Sequence, residues 1–134
     1  KKLGEKPATV YLAPIKDSRG RRLEAGKTYR IHVPKDIPAQ QFWSVTIYDA
    51  ATWAFLDNPM GRSGLGSFNR DEMKVNDDGS VDVYFGPDAP AGLESNWIPT
   101  MDKKPYVWLR LYGPGDAFWD KSFKMPDVVL FEGK

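Results

Sequence analysis

The sequence has 134 residues, of which 41% are hydrophobic, 13% aromatic and 28% charged. This composition excludes a disordered chain, and the length is that of one domain with its own core. The formal net charge of +1 gives no electrostatic reason to bind nucleic acid or an anionic membrane, so we expect neither a nucleic-acid partner nor membrane insertion. The chain has no cysteine and one histidine, which excludes thiolate metal centres and any site with two of its own histidines. We therefore expect no metal site and no cofactor.

Short strands are the main predicted elements. Twelve glycines and eleven prolines interrupt the chain and leave little room for an ordinary helix. The intervening segments are rich in β-branched and aromatic residues, which are typical of strands. The predicted strands are Thr9–Leu12, Lys27–Val33, Phe42–Asp49, Thr52–Leu56, Ser80–Phe85, Tyr106–Tyr112 and a weaker one at Phe118–Phe123. Composition also predicts a turn at Asp17–Gly20, a hairpin at Val75–Val81 and one short helix at Asn69–Lys74.

Apolar and polar residues alternate along four of these strands, which predicts one face on the core and one face away from it. The predicted fold is all-β, a jelly-roll-like antiparallel β-sandwich with at most one or two short helices. We expect a single domain over residues 1–134, with an N-terminal segment at 1–26 ahead of the main part at 27–134.

The faces that point away from the core carry aromatic and basic residues. If the strands share one sheet, these residues form a single surface, made of Tyr48, Tyr84, Tyr106, Trp108 and Tyr112 with Arg30, His32 and Arg110. Such a surface is typical of core or seam packing, of an interface between subunits, or of a ligand platform. The candidate ligand- or partner-binding residues are Arg30, His32, Tyr48, Arg62, Tyr84, Trp97, Trp108, Arg110 and Tyr112.

Three other motifs favour structural interpretations over chemistry. Gly61–Ser67 matches neither a phosphate-binding loop nor a dinucleotide fingerprint, so an ordinary loop is favoured over an anion site. A Ser-His-acid triad would have to use His32, with Ser44 as one conceivable nucleophile, but neither residue lies in a recognisable catalytic context. Asp77 and Asp78 lack the ligand spacing of an EF-hand and are interpreted as turn formers.

Several segments together resemble a known family. They are Lys27–Pro34, Gln41–Asp49, Lys74–Pro87, Ala89–Gly92, Glu94–Thr100, Leu109–Pro114 and Phe118–Lys121. In order and spacing this series resembles the bacterial domain of unknown function family 1214. The resemblance implies a β-rich, jelly-roll-like fold and a position behind a companion domain of unknown function family 1254. It implies no established catalytic residues.

The leading hypothesis is a structural module that packs against a companion domain or its own copies through the aromatic surface. The alternatives are a module that binds a carbohydrate or another small molecule and, in a different class, a small hydrolase or lyase. We favour a non-enzymatic role for this chain alone. The chain begins without an initiator Met, which indicates a processed product, a recombinant segment or a piece of a longer protein. We expect a soluble protein of the bacterial cytoplasm or of an exported compartment.

Overall fold

The fold consists of two four-stranded sheets. The computed structural model describes the backbone of residues 9–12, 16–33, 39–52, 64–66, 72–101, 103–114 and 128–131, and the side chains of these except 9–12, 39–42 and 111–114. Eight strands lie in this part of the chain, together with one turn of 3-10 helix at Glu94–Asn96. The strands are β1 (Thr9–Leu12), β2 (Thr28–Val33), β3 (Ala39–Asp49), β4 (Gly64–Gly66), β5 (Val81–Gly86), β6 (Trp97–Pro99), β7 (Pro105–Pro114) and β8 (Val128–Phe131).

The first sheet, called sheet I below, has the strand order β1-β7-β3-β4, and all its neighbours pair antiparallel. The long strands β3 and β7 form its centre, and their register places Ser44 opposite Arg110 and Tyr48 opposite Tyr106. A register shift between Ala39 and Phe42 interrupts this pairing at one end.

The second sheet, called sheet II, has the order β6-β5-β2-β8. Strand β2 pairs antiparallel with both β5 and β8, and its register places Arg30 opposite Tyr84 on one side and Val129 on the other. Strand β6 pairs with β5 in parallel, so the short connection between them crosses over through the 3-10 turn. This parallel pair is the one departure from the antiparallel pairing that the sequence predicts for the described strands.

The core lies between the sheets because strands of both sheets turn apolar rows inward. Sheet II contributes Tyr29, Ile31, Val33, Val81, Val83, Phe85, Ile98 and Val128, and sheet I contributes Trp43, Val45, Ile47, Leu65, Val107 and Leu109. These side chains are all buried, and the Tyr29 and Phe85 rings stack with centroids 5.5 Å apart. The predicted all-β sandwich is therefore confirmed, while its jelly-roll connectivity and the single domain over 1–134 stay predictions.

Some local predictions are wrong. Gly64–Gly66, interpreted as part of a loop, is the edge strand β4 and pairs with Ser44–Thr46. A Cβ on Gly64 would lie 3.1 Å from the Val45 carbonyl oxygen, so the close approach of β3 explains why glycine occupies this position of the strand. The described residues 72–74 of the predicted helix are not helical, and residues 69–71 lie outside the described part.

Two turn-related predictions have different outcomes. A turn does form at Asn76–Ser80, where Gly79 has a φ of 88°, but no strand precedes it within residues 72–80, so the predicted hairpin is wrong. Asp17–Gly20 is a turn as predicted. Strands β6 and β8 were not predicted. The predicted strand Phe118–Phe123 and residues 53–56 of Thr52–Leu56 lie outside the described residues, whereas Thr52 itself lies in a turn.

Asp17 organises the first turn. Its carboxylate accepts the backbone N–H groups of Arg19 at 2.9 Å and Arg21 at 3.0 Å, and the Arg21 Nε lies 3.5 Å away. Burial raises the pKa of Asp17, but hydrogen bonds from the Arg21 and Arg19 N–H groups outweigh that effect and hold the pKa below its ordinary value of 3.8. The charged form therefore stabilises the fold.

We expect the stability advantage of the wild type over Asp17→Asn to depend on pH. The folded-state pKa is lowered, so the advantage is fully present above about pH 3.8 and is lost as the pH falls through the lower folded value. Urea denaturation of both proteins between neutral and strongly acidic pH measures this difference. A difference that grows on acidification would contradict the assignment.

Candidate functional site

The predicted aromatic and basic surface is divided between the two sheets. Arg30, His32, Tyr84 and Trp97 lie on sheet II, whereas Tyr48, Trp108 and Arg110 lie on sheet I, each on the face directed away from the core. The condition of one shared sheet is therefore not met, because β2 and β5 belong to one sheet and β3 and β7 to the other. Two separate outer faces replace the single predicted surface.

The outer face of sheet I is an aromatic layer. The Trp108 ring contacts Tyr48 edge-on at 6.4 Å between centroids and lies tilted against Tyr106 at 5.9 Å. The Arg110 Nη2 donates a 2.7 Å hydrogen bond to the Tyr48 hydroxyl and so orients both side chains. The backbone of Tyr112 lies opposite Phe42 in the register of β7 and β3.

Two small polar side chains lie within this layer. Ser44 and Thr46 point away from the core, yet they are only 9% and 5% exposed. Their cross-strand neighbours are Arg110 and Trp108 on β7, and glycines on β4. The bulky side chains therefore cover the shorter ones, and the surface offered to a partner consists mainly of partly exposed rings and a guanidinium group.

The outer face of sheet II carries a histidine–carboxylate pair. His32 and Asp82 are cross-strand neighbours, and the His32 Nδ1 lies 2.7 Å from the Asp82 Oδ1. The Asn76 Nδ2 donates to the other Asp82 oxygen at 3.3 Å. His32 is therefore oriented by Asp82, a residue that the sequence analysis did not select. Only the strand pairing identifies it, because fifty residues separate the two in sequence.

Arg30 and Tyr84 form the next row on this face. Tyr84 is 5% exposed, and its ring packs edge-on against Phe131 at 5.1 Å. Burial raises the pKa of Tyr84, as does the Asp82 carboxylate, while the nearby Arg30 guanidinium opposes the rise. The Tyr84 hydroxyl therefore stays protonated at neutral pH.

The geometry supports neither a triad of His32 with Ser44 nor a calcium site at Asp77 and Asp78. Ser44 lies on sheet I and His32 on the outer face of sheet II, so the sandwich separates them. Asp78 accepts hydrogen bonds from the Ser80 hydroxyl and then the Ser80 N–H, which together lower the Asp78 pKa. Ser80 therefore stabilises the turn by donating hydrogen bonds to the Asp78 carboxylate.

The remaining expectations concern a metal site, a membrane-spanning helix and a surface cleft. Among the described residues, no three His, Cys, Asp or Glu side chains lie together as metal ligands would. The described part also contains no helix of the length and hydrophobicity needed to cross a membrane. Arg62, a candidate binding residue, lies outside the described residues. A cleft of about 630 Å³ opens beside the end of sheet II, lined mainly by Lys27, Thr28, Pro87, Pro90, Leu130 and Phe131, and Lys27 there pairs with Glu24 at 2.8 Å.

Comparison with known families classifies this chain. Residues 8–116 match the family described as Protein of unknown function (DUF1214), which is well over half of the sequence. The chain belongs to the DUF1214 family. The resemblance drawn from the motifs is confirmed for this domain, whereas the companion from family 1254 stays a prediction. No curated protein matches the sequence.

Two solved structures are similar to this DUF1214 domain. The VPA0106 protein from Vibrio parahaemolyticus is 25% identical with a TM-score of 0.78, and the match covers 93% of this chain and 31% of that protein. An uncharacterised protein from Burkholderia cenocepacia is 17% identical with a TM-score of 0.65, and the match covers 97% of this chain and 31% of that one. The chain therefore spans about a third of the length of each.

The DUF1214 segment Asn96–Pro99 has a structural role. Asn96 is 1% exposed and joins residue 74 to β5 through its amide. The Trp97 Nε1 donates to the Gly86 carbonyl at 3.0 Å and so fixes β6 against β5. Trp97, predicted as a binding residue, thus helps to hold the outer face of sheet II in place.

Proposed function

We propose that this DUF1214 domain is a non-catalytic assembly module, and that the outer face of sheet I packs against a companion domain of the same, longer chain. The observation that carries the proposal is the aromatic layer of Tyr48, Tyr106 and Trp108, oriented by the 2.7 Å bond between Arg110 and Tyr48. The face is preorganised, since these contacts already fix the side chains that a partner would meet.

The composition of this face favours a protein partner. Aromatic residues and arginine are enriched at the centres of protein interfaces, where they account for most of the binding energy. Ser44 and Thr46 are already covered, so contact with a partner would bury mainly rings and would desolvate few additional polar groups. Arg110 supplies one directed charged group within a mainly aromatic patch.

The similar structures favour a partner in the same chain over a second copy. In both proteins the matched region is 31% of the chain, so most of each polypeptide lies outside the part that resembles this domain. A covalently linked partner is present at a high effective concentration and needs only a modest interface to remain docked. One aromatic face fits this requirement.

We expect the full gene product to protect this face from solvent. Hydroxyl-radical footprinting, read by mass spectrometry, should modify Tyr106 and Trp108 several-fold more slowly in the full gene product than in the isolated chain of residues 1–134. Trp97 serves as the matched control because it is also partly exposed, but on the outer face of sheet II. Its modification rate should be equal in the two proteins.

Two outcomes would refute the proposed contact. Equal modification of Tyr106 and Trp108 in both proteins would mean that no companion domain covers this face. Protection that develops in the isolated chain as its concentration rises would instead assign the face to self-association. Sedimentation velocity over the same concentrations distinguishes these results, because only self-association changes the mass of the isolated chain.

A further inference from the structure

Arg30 on the outer face of sheet II carries a charge that no carboxylate offsets among the described residues. The ion pairs of that part of the chain involve Arg21, Lys27, His32 and Lys103, but not Arg30. Its Nε atom is buried and has no hydrogen-bond partner there. The rest of the side chain is only partly buried, and it lies within hydrogen-bonding reach of the Tyr84 hydroxyl, so its unbalanced charge can still attract a bound anion.

The neighbours of Arg30 add hydrogen-bonding capacity and an apolar wall. The Tyr84 hydroxyl lies beside the guanidinium, and burial keeps it protonated and able to donate. Val129 flanks Arg30 on the opposite strand, and the Phe131 ring packs against Tyr84. His32 lies one row further along β2 and is held by Asp82, with its Nε2 without a partner among the described residues.

The charge balance selects the kind of anion. Arg30 contributes one positive charge, whereas Asp82 is a carboxylate two residues from Tyr84, and Asp78 is close enough to His32 for the imidazole to lower the Asp78 pKa. These acids would repel a dianion more strongly than a monoanion. A single arginine fork also matches the two oxygens of a carboxylate.

We infer that Arg30, with Tyr84 and His32 beside it, binds the carboxylate of a small monoanionic ligand whose apolar body lies along Val129 and Phe131. This inference goes beyond the proposed assembly role and uses the opposite face of the sandwich. The assembly proposal and this carboxylate-binding inference can therefore fail independently.

Benzoate is a suitable probe because it joins one carboxylate to a flat apolar ring. We expect benzoate to shift the Arg30 Nε–H resonance saturably in nitrogen-15 NMR spectra of the chain. Benzamide, which has nearly the same shape and no charge, should shift it little, and inorganic phosphate should bind more weakly than benzoate. Arg30→Gln lacks that resonance, so its Kd is read in both proteins from the backbone amide resonances of β2 and β5, and the Kd should rise about tenfold or more, since a charge-assisted bond is lost.

Matched variants separate binding from folding. Arg19→Gln removes one arginine from an exposed turn and should leave the benzoate Kd unchanged. Tyr84→Phe keeps the ring on Phe131 and removes only the hydroxyl, so it should raise the Kd even if Arg30→Gln does not fold. An unchanged Kd in a folded Arg30→Gln variant, or in Tyr84→Phe where Arg30→Gln is unfolded, would overturn the inference. An equal shift with benzamide, or tighter binding of phosphate, would also overturn it.

Discussion

Asn96→Ala is expected to lower the free energy of unfolding by about 3 kcal/mol, a large part of the stability of a domain of this size. Asn96 is 1% exposed, and its amide makes four hydrogen bonds. The Oδ1 accepts from the Lys74 N–H and the Ser95 hydroxyl, and the Nδ2 donates to the carbonyls of Lys74 and Asp82, all at 2.9 Å. Alanine would leave these backbone groups without partners.

Equilibrium unfolding in urea, followed by tryptophan fluorescence, measures this loss. Ser95→Ala is the matched control, because it removes one of the four bonds from a side chain that is less buried, and it should cost about 1 kcal/mol or less. Asn96→Asp keeps an acceptor for the Lys74 N–H but directs a carboxylate oxygen at two carbonyls. It should be at least as destabilising as alanine at neutral pH.

The same series decides what Asn96 does. A free energy of unfolding for Asn96→Ala within about 0.5 kcal/mol of the wild-type value would show that water replaces the amide. The structural role assigned to Asn96–Pro99 would then be wrong. If Asn96→Asp recovers stability on acidification, when its carboxyl gains a proton and can donate again, the hydrogen-bonding explanation gains direct support.

Gly86→Ala is expected to destabilise the fold by about 1–3 kcal/mol or more, because it overpacks the contact between β5 and β2. A Cβ at this position would lie 2.6 Å from the Thr28 Cα and 2.7 Å from its Cβ. The backbone of β2 would have to move, since rotation of the Thr28 side chain relieves only part of the clash. The Gly86 carbonyl, which accepts from the Trp97 Nε1 and the Thr100 N–H, would move with it.

Gly26→Ala provides a comparison without a steric clash. Gly26 has a φ of 80° with no atom within 4 Å of its added Cβ, so only backbone strain of about 1 kcal/mol is expected there. Thermal unfolding of both variants and the wild type measures the difference. If Gly86→Ala costs no more than Gly26→Ala, the close approach of β2 and β5 is not the reason for glycine at position 86.

Much of the sandwich could be predicted because strand periodicity is a local property. The rows Tyr29-Ile31-Val33 and Val81-Val83-Phe85 alternate with polar residues, and both rows are buried as predicted. Local turn chemistry likewise indicated the turn at Asp17–Gly20. Strand β4 was missed because glycine has low strand propensity, and its pairing with β3 joins segments that no local pattern connects.

The amino-acid pattern already predicts which side chains point inward and which point outward, because alternation in a strand follows from the backbone geometry alone. Which outward rows are neighbours depends instead on how the strands pair in the folded protein. Alternation carries no information about strand partners, so it cannot show that Arg110 belongs with Tyr48 while Arg30 belongs with Tyr84. The pairing of distant strands likewise brings Asp82 to His32 and Asn96 to Lys74, across separations that no local pattern records.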